Sequence, residues 1–182
     1  EVGGDYYDFN VGMDGALTVV IGDATGHGMR AGTMVTSAKS LFNSYAANPD
    51  ILFTFREMTR CIKQMQFQSL AMSMTMLKIQ NNRLIMSAAG MPPVYLFRNK
   101  HKIIEEYLIE GMPLGTMDNF PYELKEMGLF SGDTILLMSD GFPELQNANK
   151  EMFGYKRARN SFEEVAEKEP ERIITYLKEA GS

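Results

Sequence analysis

The chain has 182 residues, 45% of them hydrophobic and 23% charged, which is enough apolar material for one core and predicts a single domain over residues 1–182. Its 18 basic and 23 acidic residues leave a net charge of −5, and no Lys/Arg cluster exceeds residues 98–102, so a nucleic-acid backbone is excluded as partner. One cysteine, Cys61, and two histidines, His27 and His101, exclude a disulfide framework and Cys/His zinc sites.

Residues 2–11 read as an extended, aromatic-rich segment, Asp14 and Gly15 as a tight turn, and residues 17–21 as a β-branched apolar run. Together they predict a hairpin. After the glycines at 26 and 28, Met34, Val35, Ala38, Leu41, Phe42 and Tyr45 recur at helical spacing. Ile51, Phe55, Met58, Ile62 and Met65 repeat that rhythm behind Pro49 and Asp50, so a second helix is expected beside the first. Cys61 falls on its apolar side and reads as a core thiol. The period then changes: residues 71–79, 83–88, 94–97 and 103–108 predict an antiparallel meander punctuated by Asn81-Asn82 and Asn99-Lys100, with residues 98–102 as a solvated hairpin tip. Residues 122–127 and 134–138 add two strands, the second apolar enough to be covered on both faces. Phe162, Val165, Ile173, Ile174 and Leu177 predict a closing helix. Segregation of strands and helices argues for an α+β fold with helices outside and sheets inside. The 15 methionines read first as adaptable core filler.

Three glycine-flanked acidic segments stand out: Gly3-Gly4-Asp5-Tyr6-Tyr7-Asp8, Gly22-Asp23-Ala24-Thr25-Gly26-His27-Gly28, and Ser139-Asp140-Gly141. Any one of them alone would be an ordinary turn. Asp23 and Asp140, however, follow the most apolar strands, where an ionised group is costly unless compensated. With Cys and His sites excluded, the compensator must be a hard cation such as Mg²⁺ or Mn²⁺ on oxygen ligands, and adjacent glycines let the backbone approach it. Asp14-Gly15 has the same chemistry at hairpin spacing and reads as a turn only. A P-loop is excluded because Met29 and Arg30 follow Gly28, and a Ser hydrolase lacks its Gly-x-Ser-x-Gly elbow. His27 reads as a loop residue, with proton transfer as the alternative.

With Ala89-Gly90-Met91-Pro92-Pro93, Gly111-Met112-Pro113-Leu114-Gly115 and Gly132-Asp133-Thr134 added, the chain resembles the SpoIIE-like, RsbU-like branch of the PPM-type metal-dependent protein serine/threonine phosphatases of bacteria. The resemblance implies a four-layer α-β-β-α sandwich of two antiparallel sheets holding two Mn²⁺ or Mg²⁺ ions. It assigns Asp23 as bridging and catalytic ligand, Ala24 as a carbonyl ligand, Asp140 as catalytic ligand to one metal, and Asp5 as support for the other. The implied substrate is phosphoserine or phosphothreonine on a regulatory protein of the anti-sigma-factor-antagonist type. An upstream sensor domain is implied too, with a cytoplasmic location, no membrane contact by this domain, and room for a homodimer or for tethering to a membrane sensor in a longer protein. Thr25 stands where relatives carry Ser, and Met91 where many carry His. The chain reads as cut at both ends, the family's further Asp motif lying beyond Ser182. The rival reading is a catalytically silent phosphatase scaffold that binds a partner.

Overall fold

A computed structural model describes residues 3–66 and 70–181. Glu1 and Val2, assigned by pattern to the first strand, lie outside the described residues, as does Ser182. In chain order the elements are strands β1 (Asp5–Val11) and β2 (Leu17–Ala24), helices α1 (Met29–Tyr45) and α2 (Ile51–Gln64), strands β3 (Met72–Gln80), β4 (Arg83–Ala89), β5 (Val94–Arg98), β6 (Ile103–Tyr107), β7 (Lys125–Gly128) and β8 (Thr134–Leu136), and helices α3 (Tyr155–Val165) and α4 (Pro170–Ala180). They form two compact units, the first made of Glu1–Met91 and Ile109–Leu129, the second of Pro92–Leu108 and Phe130–Ser182.

In the first unit an antiparallel five-stranded sheet runs in the order β1-β2-β3-β4-β7. The predicted hairpin closes as expected: Gly12 N–H donates to Ala16 O at 2.8 Å, and the Asp14 carboxylate accepts from Ala16 N–H. Alternate residues of the strands, Tyr6, Val20, Met74 and Met76, share one apolar cluster with Met34, Ala38 and Phe42 of α1 and Phe55, Met58 and Ile62 of α2. Helix α2 starts where the sequence places it, because the Asp50 carboxylate accepts from Phe53 N–H at 3.0 Å and satisfies one donor of the open first turn. Six methionines, at 34, 58, 72, 74, 76 and 86, are fully buried, so the core-filler reading holds for them. Lys78 is also buried, its ammonium donating to Thr18 Oγ1 and to Ala46 O at the end of α1, both at 2.7 Å. Burial pushes its pKa down.

In the second unit an antiparallel sheet of order β6-β5-β8 carries its own cluster, in which Tyr95, Phe97 and Leu136 meet Ala158, Phe162 and Val165 of α3 and Ile173 and Leu177 of α4. Burial raises the Tyr95 phenol to about 12.

The structure differs from the sequence pattern at several places. The meander is interrupted: β4 pairs with β3 and β7, while β5 pairs with β6 and β8. Between β4 and β5, Gly90 takes a positive φ of 74° and Pro92-Pro93 offers no ladder N–H, so pairing stops and the chain changes sheets. The strand over residues 122–127 becomes β7, Lys125–Gly128. Tyr122 instead sits in the core edge-on to Phe55 at 5.2 Å, its hydroxyl donating to Met112 O at 2.7 Å. The apolar run 134–138 is an edge strand of three residues, only partly buried, so it is not covered on both faces. The closing helix is two helices, because Pro170 cannot continue α3 and takes the first position of α4, and Ile174 faces outward. Cys61 is half-buried beside the Arg60 guanidinium, 3.7 Å from it, rather than in the core. Among the described residues no helix is long and apolar enough to cross a membrane.

Candidate metal centre

The β1–β2 ladder sets Asp5 directly opposite Asp23. Ala24 N–H donates to Gly4 O at 3.0 Å, so Gly4/Ala24 is a hydrogen-bonded position and Asp5/Asp23 the neighbouring, more closely spaced one. Directly opposed residues of an antiparallel pair point to the same face with Cβ atoms about 5 Å apart, and like charges there disfavour pairing. A cation between the two carboxylates reverses that sign. Asp23 lies within β2 rather than just past it, half-buried, while Asp5 is exposed.

Gly4 completes the arrangement by what it lacks. A Cβ built on it would lie 2.5 Å from both Asp23 Oδ1 and Ala24 O, so these two oxygens converge on space that only glycine leaves open. The loop leaving the site is anchored through Thr25, whose N–H and hydroxyl both donate to Ala71 O, at 3.0 and 3.2 Å. Asp8, three residues beyond Asp5, falls on the opposite face by strand alternation. It accepts from the Tyr6 hydroxyl at 3.0 Å and pairs with Lys39 of α1 at 2.7 Å. Lys39 holds the Asp8 carboxyl below its usual range, and burial, followed by the bond to Asp8, pushes the Tyr6 phenol up. Asp8 therefore fastens β1 to α1 and contributes nothing to the Asp5 face.

Asp140 belongs to the second unit, exposed and four residues past the end of β8, with its carbonyl accepting from Glu144 N–H at 3.0 Å in a turn. Together with Glu144, and after burial, its charge raises the Tyr155 phenol pKa. Of the four predicted site residues, Asp5, Asp23 and Ala24 are thus brought together on one strand pair, and Asp140 stands in the other unit. Among the described residues no three His, Cys, Asp or Glu side chains form a metal-holding group. His27 is exposed in its loop.

Sequence reasoning quoted Asp133 in a motif without giving it a role. Its carboxylate is buried and accepts from Asn99 N–H at 3.0 Å, Phe130 N–H at 3.1 Å and the Arg98 guanidinium at 3.0 Å. Arg98 also pairs with Glu105 at 2.8 Å, so residues 98–102 are not a freely solvated tip. A Gly-Asp pair followed by an apolar strand looks alike whether its carboxylate holds an ion or ties a hairpin, and only the partners separate the cases.

Two carboxylates and a carbonyl are hard oxygen donors, and a hydrated Mg²⁺ commonly takes only one or two protein carboxylates. The residues present therefore fit such a cation. Two antiparallel sheets and four helices are also the make-up of the PP2C-type phosphatases. The SiaA-PP2C domain of Pseudomonas aeruginosa matches with a TM-score of 0.83 at 20% identity, over 98% of this chain and 73% of its own. RsbX, solved in complex with magnesium, matches with 0.73 at 17%, over 99% and 81%. The chain belongs to the Stage II sporulation protein E (SpoIIE) family, whose pattern it matches over residues 13–180. That match spans both units and includes Asp23, Ala24 and Asp140, while Asp5 precedes it. Phosphoserine phosphatase RsbU of Bacillus subtilis (strain 168) is 23% identical over 154 residues, 82% of this chain and 45% of RsbU, so the chain spans about half the length of that curated relative.

Proposed function

We propose that this chain is the catalytic part of a metal-dependent phosphatase that hydrolyses phosphoserine or phosphothreonine on a bacterial regulatory protein of the anti-sigma-factor-antagonist type. The observation that carries the reading is the Asp5–Asp23 pair with the Ala24 carbonyl, held open by Gly4, in a chain of the SpoIIE family. Asp23 and Ala24 would hold the cations with support from Asp5, and Asp140 keeps the metal-ligand role that the family resemblance gives it. Two Mn²⁺ or Mg²⁺ ions bound there supply Lewis acidity, neutralising phosphoryl oxygens and lowering the pKa of water toward neutrality. The chain's own part is to fix the oxygens: β-pairing sets Asp23 against Asp5, Gly4 keeps the approach clear, and Thr25 pins the following loop to Ala71. No side-chain nucleophile is required, which suits a site without Cys. The whole protein is proposed to be cytoplasmic and to place this output under a sensor domain.

Mn²⁺-dependent release of phosphate from a phosphorylated regulator is the test. Chelation abolishes it, and Asp23→Asn lowers kcat by more than about 100-fold, beyond what loss of a contact outside the ligand sphere costs. Activity retained in Asp23→Asn removes that residue from its role. Calorimetry that finds no Mn²⁺ binding at all favours the silent partner-binding scaffold.

A further inference from the structure

Thr18 of β2 faces Asn10 of β1 across one ladder and Lys78 of β3 across the next, and Lys78 in turn faces Ile85 of β4. Directly opposed residues share a face, so these four make a row across the sheet on its helix side, where α1 ends. Over this row lies a cavity of about 270 Å³, closed on one side by Ala46 and Pro49, which lie between α1 and α2.

The floor of this cavity holds a charge that the fold leaves half answered. Lysine is almost never fully buried without a countercharge. Lys78 is only 8% exposed, and among the described residues no carboxylate comes within ion-pair distance of it. Of its three N–H donors, two go to Thr18 Oγ1 and Ala46 O, and the third has no protein partner among the described residues. The carbonyl end of α1 offsets about half a unit of charge. At the rim, the Asp14 carboxylate accepts from Ala16 N–H, and Arg83 pairs with Glu126. The lining thus sets two cations, Lys78 and Arg83, against the single carboxylate of Asp14.

We propose that this cavity binds a small aliphatic carboxylate, whose anionic end accepts the third Lys78 N–H and whose carbon body lies against Ala16, Ala46, Pro49 and Ile85. Phosphate is the poorer fit. It ordinarily collects several N–H donors, whereas the floor offers one, beside a carbonyl that repels a doubly charged group. A water takes about 30 Å³ of liquid volume, so the space suits an acid of about four carbons. The site is separate from the candidate metal centre. Asn10/Thr18 stands five residues along the ladder from Asp5/Asp23, about 17 Å away, and on the opposite face. The inference therefore does not depend on the phosphatase reading.

Nuclear magnetic resonance of the metal-free chain, with the Lys78 CεH₂ group assigned, is the test. Sodium butyrate exchanged for sodium chloride at constant ionic strength is expected to shift this resonance saturably, with half-saturation on the order of 1 mM. Inorganic phosphate over the same range produces no saturation. Added Mn²⁺ leaves the butyrate curve as it was. Butyrate at about one hundred times its Kd also raises the melting temperature by several degrees. Lys78→Met, which keeps the reach of the side chain and removes its charge, abolishes that rise, and Lys102→Met, an exposed lysine in the second unit, keeps it. If Lys78→Met does not fold, the resonance of the native chain decides alone. A Lys78 signal that does not saturate with butyrate, one that saturates with phosphate instead, or a thermal rise that survives Lys78→Met overturns the proposal.

Discussion

Asp5 and Asp8 share one short motif and the same side chain, yet three residues of strand reverse their direction and their work. Asp5 faces Asp23 across the ladder, whereas Asp8 is neutralised by Lys39 beneath the sheet. Gly4 carries the sharpest consequence at this scale. A methyl group there meets Ala24 O and Asp23 Oδ1 at 2.5 Å, a separation that cannot persist, and one of these atoms lies on the backbone and has nowhere cheap to move. Gly4→Ala is therefore expected to lose Mn²⁺-dependent activity nearly as completely as Asp23→Asn. Relieving a clash with the backbone also costs stability, so its melting point should fall as well, by more than the few degrees that about 1 kcal/mol represents. Full activity in Gly4→Ala, measured with the same phosphoprotein, discards the converging-oxygen account.

Helix α2 shows how local chemistry and tertiary packing divide the labour. The residue pair Pro49-Asp50 announces its start, and the Asp50 carboxylate does bond Phe53 N–H. Its apolar side, Phe55, Met58 and Ile62, docks against the core that the sheet presents. Asp50→Ala removes the cap and leaves the docking intact. Urea unfolding followed by circular dichroism should then register a loss of about 1 kcal/mol with unchanged m-value, and a loss near zero would show that the first turn finds other acceptors. The closing helix marks the limit of such reading. The apolar spacing of Phe162, Val165, Ile173 and Leu177 is continuous enough to suggest one element, but Pro170 divides it, and both halves still reach the same cluster. Pattern reports which residues are apolar, and chain geometry decides how many helices deliver them.

For the whole molecule, the proposed metal centre ties cation binding to folding. A cation that binds the paired carboxylates only when β1 and β2 are aligned stabilises the folded chain by mass action, about 2.7 kcal/mol at one hundred times its Kd. Thermal unfolding with and without Mn²⁺ should display that shift in the native chain and lack it in Asp23→Asn. An equal shift in both proteins would place the ion elsewhere. Two units, each with its own sheet, helix pair and apolar cluster, are spanned by one family pattern, and that pattern contains Asp23 from the first unit and Asp140 from the second.

Much of this was legible before any coordinate. Hairpin, helix pair, strand positions and the exclusion of Cys/His metal chemistry follow from periodicity, turn residues and composition, because these depend on neighbours within a few positions. The cost of charge beside apolar strands, again a local argument, points to Asp23 and Asp140, but the strand before Asp140 is a short, partly buried edge and Asp140 itself is exposed. Which carboxylates share a face was decided by register, and register is a property of two strands at once. The same holds for the change of sheet after β4, for Asp133 turning inward to tie Arg98 and Asn99, and for Lys78 meeting Thr18 and the end of α1. Each of these depends on what lies across a ladder or at the end of a sheet, and a linear sequence carries no distance between residues far apart along it.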